Sequence, residues 1–75
     1  MEFNCLIRFH WDEEASVWTA YSDDVPGLVL ESGSFDALLE RVRYAVPELL
    51  ALNNVTPKTI FYTFISERQD KAVLA

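Results

Sequence analysis

The chain opens with alternating apolar and polar residues, which predict a half-buried strand. From Phe3 to Trp11, every odd position is apolar and most even positions are polar. A period of two is the spacing of a strand with one buried face. The polar segment 12–15 then has the length of a hairpin turn, and the β-branched and aromatic segment Ser16–Tyr21 predicts a second strand.

A turn, a third strand and a helix are predicted in the middle of the chain. Val25-Pro26-Gly27-Leu28 has the proline and glycine of a type II turn, and Leu28–Glu31 follows as a short strand. Ser34 is placed to cap a helix that runs to about Leu52 and kinks near Arg43–Pro47, where the proline removes a backbone hydrogen bond. The helix is indicated by apolar residues at helical spacing: Phe35, Leu38, Leu39, Val42, Ala45, Val46, Leu49 and Leu50.

The order of these elements predicts an α+β fold. Thr59–Ser66 is a fourth apolar, strand-like segment, so the order is β-β-β-α-β. A right-handed crossover through the helix would place the fourth strand parallel to the first. We therefore expect a four-stranded mixed sheet of order 3-2-1-4 with one helix on one face. Residues 1–66 are expected to form a single domain, and the polar tail 67–75 is expected to fray.

Both faces of this sheet are expected to be apolar, although one helix covers only one of them. Trp18 and Ala20 point to one side of the second strand, and Val17 and Tyr21 point to the other. The fourth strand carries no charge, and an uncovered apolar edge promotes association. We therefore expect a homodimer or higher oligomer, with an oligomer or ligand interface at Trp11, Trp18, Tyr62 and Phe64.

Acidic residues are concentrated in the first half of the chain. The net charge is −6, and residues 1–40 hold nine acids against the single base Arg8. This sign disfavours direct nucleic-acid binding, which depends on phosphate contacts. A small basic protein matches such a surface better, although acidic residues also simply keep a small apolar domain soluble. The predicted contact rim consists of Asp12, Glu13, Glu14, Asp23 and Asp24.

The sequence has no set of residues with catalytic or metal-binding spacing. Cys5 and His10 are five residues apart on one strand, so they point to opposite faces and lie about 17 Å apart. One cysteine and one histidine cannot build a structural zinc site, and the acidic clusters lack the spacing of a calcium loop. We therefore expect no enzyme activity, no metal and no cofactor.

The expected compartment is the cytoplasm. The single cysteine rules out an internal disulfide. The apolar runs are far shorter than the ~20 residues of a membrane helix, and no basic region followed by an apolar stretch opens the chain. We therefore expect neither secretion nor membrane insertion.

Four segments between Ala15 and Asn53 form a characteristic succession. They are Val17-Trp18-Thr19-Ala20, Asp24-Val25-Pro26-Gly27-Leu28, Gly33-Ser34-Phe35-Asp36-Ala37-Leu38-Leu39 and Val46-Pro47-Glu48-Leu49-Leu50. In this succession the chain resembles the HicB-like antitoxin domains. More closely, and through the last segment in particular, it is similar to a family of short stand-alone bacterial proteins of unknown function within that superfamily.

The resemblance implies a fold and a function. HicB-like domains have a partial ribonuclease H-like β-β-β-α-β fold without its active site, and in two-gene systems the antitoxin blocks a small basic toxin that cleaves messenger RNA. Full HicB antitoxins also carry a DNA-binding module, for which the segment after Ser66 is too short. The resemblance therefore implies a non-enzymatic protein-binding domain. The alternative is a stand-alone homo-oligomeric module that binds a small ligand at a subunit interface.

Overall fold

The computed structural model describes residues 1–75 and contains four strands and one helix. The strands follow the predicted segments to within one or two residues, because alternation and turn chemistry specify them locally. In chain order the elements are β1 (Glu2–Asp12), β2 (Val17–Tyr21), β3 (Val29–Ser32), α1 (Phe35–Leu52) and β4 (Thr59–Glu67).

The strands form one mixed sheet in the order β3-β2-β1-β4. β1 pairs antiparallel with β2, and β2 pairs antiparallel with β3. β1 also pairs in parallel with β4 along nearly its whole length. The predicted α+β fold and strand order are therefore confirmed.

The two turns of the meander use side-chain and glycine chemistry. After β1, the Asp12 carboxylate accepts hydrogen bonds from the backbone N–H groups of Glu14 (3.1 Å) and Ala15 (3.2 Å). Before β3, Gly27 has a φ of +87°, a left-handed conformation that side chains disfavour. The Leu28 N–H donates to the Val25 carbonyl at 3.2 Å, which confirms the predicted turn.

Helix α1 begins and ends as predicted. The Ser34 hydroxyl accepts a hydrogen bond from the Ala37 N–H at 3.2 Å, which caps the N-terminus. The helix continues through Pro47 to Leu52. At its end, the Asn53 side chain donates to the Leu49 carbonyl at 2.8 Å.

The core lies between α1 and one face of the sheet. Alternate residues of β1 are buried there, and α1 contributes one residue from each successive turn. The buried residues are Cys5, Ile7, Phe9, Ala20, Val25, Leu28, Leu38, Val42, Val46 and Leu50. The helix approaches β2 and β3 most closely, so it leaves the β4 side of this face partly uncovered, and Phe64 on β4 is 36% exposed.

The C-terminal segment 68–75 has no regular secondary structure. The radius of gyration is 14.5 Å, whereas a compact domain of this length has a value of about 11 Å. The long axis measures 56 Å, and Val73 and Leu74 are exposed. The tail therefore extends away from the folded body.

Candidate protein-binding surface

The acidic residues predicted to form one rim lie in two separate places. Asp12, Glu13 and Glu14 lie at the β1–β2 turn. Asp24 lies beyond the other end of β2, where its carboxylate accepts a hydrogen bond from the Leu6 N–H at 2.8 Å. Leu6 and Asp12 are six residues apart on β1, which corresponds to about 20 Å. The structure therefore does not bring the predicted rim together.

Three of these acids have local partners. Asp12 accepts the two hydrogen bonds of the turn, and the Glu13 carboxylate accepts one from the Trp11 indole N–H at 2.7 Å. Asp24 satisfies the Leu6 N–H at a point where β2 no longer runs beside β1. Each of the three carboxylates therefore has a structural role as a hydrogen-bond acceptor within the fold.

The sheet face opposite α1, called the open face below, carries a patch of exposed apolar side chains. The register places Val29, Tyr21, Arg8 and Ile65 side by side across the four strands. Val29 is 67% exposed, Ile65 41% and Tyr21 40%. The apolar patch consists of the exposed residues Tyr21, Val29, Phe61 and Ile65 together with the half-buried Leu6.

Carboxylates surround the apolar patch. Glu31 on β3 lies opposite Thr19, and Glu67 on β4 lies opposite His10, so both side chains belong to the open face. The alternation within each strand could have placed both residues on this face. Their position around the same patch depends on the register between strands, which the sequence pattern does not specify. The acidic perimeter, as the term is used here, consists of Glu2, Asp12, Asp24, Glu31 and Glu67.

Two basic side chains lie inside this perimeter. Arg8 and His10 follow one another on the open face of β1 and are both exposed. The structure contains one salt bridge, between Arg43 and Glu40 on the helix at 3.4 Å. Arg8 therefore presents an unpaired guanidinium in the middle of the apolar patch.

The four aromatic residues predicted to form an interface lie on the other, helix-facing side of the sheet. They belong to a continuous chain of ring contacts that passes through Phe35 and Phe9. Its successive centroid distances are 5.5 Å for Trp11–Trp18, 5.1 Å for Trp18–Phe35, 4.8 Å for Phe35–Phe9, 5.8 Å for Phe9–Phe64 and 5.5 Å for Phe64–Tyr62. Trp18 packs against the helix, whereas Tyr62 and Phe64 lie at the β4 margin.

A cleft of about 490 Å³ separates the end of β1 from the start of the tail. Trp11 is its one apolar lining residue, and the Arg68 guanidinium lies 4.0 Å from the centre of the Trp11 ring. The remaining lining residues are His10, Glu13, Glu67, Gln69, Asp70 and Lys71. No group of three or more His, Cys, Asp or Glu side chains is arranged to hold a metal ion.

Cys5 and His10 do not form a nucleophilic pair. Cys5 is buried, and its thiol donates to the Phe61 carbonyl at 3.8 Å, whereas His10 is exposed on the open face. Burial, with a smaller effect of the Asp24 carboxylate, raises the pKa of the Cys5 thiol. A buried thiol with a raised pKa is a poor nucleophile.

The fold and its surface define a small α+β domain with one open, acid-ringed sheet face, and no helix has the length and apolar content needed to cross a bilayer. Residues 4–74 match the model of a family described as a domain of unknown function, DUF1902, and the chain belongs to that family. This confirms the coarser part of the resemblance, a small family of unknown function.

Comparison with solved structures gives a similar protein over the whole fold. The crystal structure of the hypothetical protein TTHA1013, from the extremely thermophilic bacterium Thermus thermophilus, is 36% identical with a TM-score of 0.78. The match covers 92% of this chain and 99% of the other. No curated protein matches the chain.

Proposed function

We propose that this chain is a non-enzymatic, HicB-like domain of the bacterial cytoplasm whose open face binds a small basic protein, in the manner of an antitoxin. The observation that carries this proposal is the apolar patch on the open face, enclosed by the acidic perimeter. Protein interfaces have the same organisation, with an apolar centre and a polar rim.

The exposure of the apolar patch supports a binding role. Val29 and Phe61 are 67% and 50% exposed, and large contiguous apolar patches on soluble proteins commonly mark interaction sites. Tyr21 and Arg8 lie next to one another at the centre of the patch. Tyrosine and arginine are among the residue types that most often dominate binding energy at interfaces.

The charge of the surface supports a basic partner. Five carboxylates belong to the acidic perimeter, whereas Arg8 is the one fixed positive charge inside it. Complementary charge mainly accelerates encounter and excludes wrong partners. The apolar patch would then supply most of the affinity, and Arg8 would bind an acidic or carbonyl group of the partner.

Affinity capture with matched surface variants tests the proposal. The tagged protein is purified from cells that carry its gene, and companions are identified by mass spectrometry. Val29→Lys changes the apolar patch, and Tyr44→Lys changes an equally exposed residue on the helix (70% exposed). We expect a stoichiometric small basic protein to be retained by the wild type and by Tyr44→Lys and lost from Val29→Lys.

Charge reversal tests whether partner association depends on the acidic perimeter or on the net charge of the whole surface. Glu31→Lys lies on the perimeter, whereas Glu48→Lys changes the net charge equally on the exposed surface of α1. We expect Glu31→Lys alone to slow association and to weaken its salt dependence. Absence of any basic companion, or equal loss with both variants, would contradict the proposal.

A small-ligand function is the second candidate, and the cleft beside Trp11 favours it. The cleft volume lies within the range of small-molecule sites, roughly 300–1,000 Å³, and charged groups of both signs line it. A ligand there would contact the Trp11 ring and change the indole fluorescence. A metabolite screen that leaves the fluorescence unchanged in the wild type would count against this function.

A further inference from the structure

β4 has a free edge whose backbone groups lack partners. The Leu6 N–H points toward the β2 side of β1, where Asp24 binds it, so the odd-numbered residues of β1 direct their backbone groups to β4. In the parallel register, Cys5 lies opposite Tyr62. Because a residue in a parallel pair bonds to the two neighbours of its partner, the backbone N–H and C=O of Cys5 form hydrogen bonds with Phe61 and Thr63. The even-numbered residues of β4, namely Ile60, Tyr62, Phe64 and Ser66, consequently direct their N–H and C=O groups away from the sheet.

The two edges of the sheet are protected to different degrees. β3 has four residues and carries Glu31, and short, charged edge strands resist pairing with other chains. β4 has nine residues, none of which is charged or proline before Glu67. Phe61, Phe64 and Ile65 on this strand are 50%, 36% and 41% exposed. Such an edge is a template for another strand.

We propose that the occupant of the β4 edge is the β4 strand of a second copy, paired antiparallel about a two-fold axis at Thr63. In this register Ile60 lies opposite Ser66 of the second copy, and Tyr62 lies opposite Phe64 of the second copy. At each of these residues the N–H then donates, and the C=O accepts, a hydrogen bond across the axis. The two sheets become one sheet of eight strands with both helices on the same face.

The side chains of β4 are complementary to themselves in this register. On the helix-facing side, the stacked Tyr62–Phe64 pair meets the same pair from the second copy. On the open face, Phe61 lies opposite Ile65 of the second copy, and aromatic pairs with β-branched residues stabilise adjacent strands. Glu67 lies opposite Thr59 and next to Lys58 of the second copy, so no like charges oppose one another within the strand.

The absence of charge on β4 before Glu67 also separates this edge from the proposed partner site. A basic protein gains no electrostatic attraction from an uncharged edge, whereas the acidic perimeter on the open face offers it. The dimer pairing uses backbone groups in the plane of the sheet. On the open face it joins the two apolar patches at Phe61 and Ile65, whereas Leu6, Tyr21 and Val29 belong to β1, β2 and β3 and take no part in the pairing. The self-association therefore does not depend on the proposed function.

Sedimentation equilibrium at micromolar concentration tests the dimer. The wild type is expected at twice the chain mass of 8.6 kDa. Tyr62→Pro removes an N–H that has no partner within the chain and blocks the centre of the edge, and edge strands tolerate proline at such positions. Tyr62→Ala removes the same side chain but keeps the N–H. We expect Tyr62→Pro to sediment as a monomer and Tyr62→Ala as a dimer, with wild-type circular dichroism for both.

A charge-swap experiment tests the register and does not depend on the proline variant. Thr63→Lys and Thr63→Glu each place like charges opposite one another in a homodimer, whereas a mixture of the two places opposite charges there. Native mass spectrometry of an equimolar mixture should therefore give a heterodimer share well above the statistical half. Thr59→Lys mixed with Thr59→Glu is the control, because residue 59 lies opposite residue 67, and should give the statistical share.

Three results would overturn the inference. They are a monomeric wild type, a folded Tyr62→Pro variant that remains dimeric, and a statistical share for the Thr63 mixture. The last two would assign the dimer to another surface or another register. Loss of a basic partner in the capture experiment would leave these results unaffected, so the two proposals fail separately.

Discussion

Replacing Phe9 by alanine should remove a large part of the stability of this domain. Phe9 is 2% exposed and is the largest fully buried side chain, with ring contacts to Phe35 at 4.8 Å and Phe64 at 5.8 Å. Loss of a buried phenylalanine costs the transfer free energy and a cavity term, together about 3–5 kcal/mol. A chain of this length has a free energy of unfolding of roughly 4–11 kcal/mol.

The same reasoning gives a graded series of variants. Phe9→Leu keeps most of the volume and loses the ring–ring contacts, so it should cost about 1–2 kcal/mol. Tyr44→Ala also removes an aromatic ring, but Tyr44 is 70% exposed on α1. We expect its effect to stay within about 0.5 kcal/mol.

Urea unfolding followed by tryptophan fluorescence measures these differences. All variants are compared at one protein concentration, because association adds to apparent stability. Each kcal/mol should also shift the thermal midpoint by about 4–8 °C. A cost below about 1.5 kcal/mol for Phe9→Ala, or a cost equal to that of Tyr44→Ala, would refute the assignment of the helix-facing side as the core.

Three further predictions concern the turn, the helix cap and the buried thiol. Ser34→Ala should lower the free energy of unfolding by about 1 kcal/mol, because it removes the acceptor of the Ala37 N–H. Ser34→Asp should largely preserve the free energy of unfolding, because its carboxylate can accept the same hydrogen bond. Urea unfolding of both variants measures the difference. Gly27→Ala should lower the free energy of unfolding by about 1–2 kcal/mol because alanine disfavours the left-handed backbone conformation. The added Cβ would not clash, because it would meet Leu49 at an ordinary contact distance of 3.5 Å. A stabilised variant would contradict this. The pKa of the Cys5 thiol is raised above its ordinary value of 9.0. The contribution of this group to stability is therefore fully present below pH 9 and is lost as the pH rises through the pKa of the folded state. In thermal unfolding, the loss of stability at high pH should be smaller for Cys5→Ala than for the wild type.

The elements of this fold follow from local sequence signals. The period-two alternation of β1, the Pro26-Gly27 turn and the Ser34 cap each specify backbone geometry within a few residues. The helix bounds follow for the same reason. The parallel placement of β4 follows from the handedness of the crossover.

The open face could not be assembled from these local signals. Glu31 and Glu67 come from opposite edges of the sheet, and only the register places them around one patch. The sequence also suggested a rim that joined Asp12 to Asp24, which in the structure lie at different ends of the β1–β2 pairing. Closeness along the chain is a poor guide to closeness in space when a strand lies between two turns, because a strand extends by about 3.4 Å per residue.

The dimer and the partner site together predict the composition of the complex. Pairing through β4 leaves both open faces on one side of the continuous sheet, and each copy keeps the part of its apolar patch that β1, β2 and β3 carry, with Glu31 beside it. We therefore expect two partner molecules per dimer, and Tyr62→Pro should bind one partner per monomer with the wild-type contacts on the open face. Light scattering of the purified complex measures this composition. A complex with one copy of each protein in the wild type would show that the partner displaces the second copy from the β4 edge, and would assign partner binding to strand addition instead of the open face.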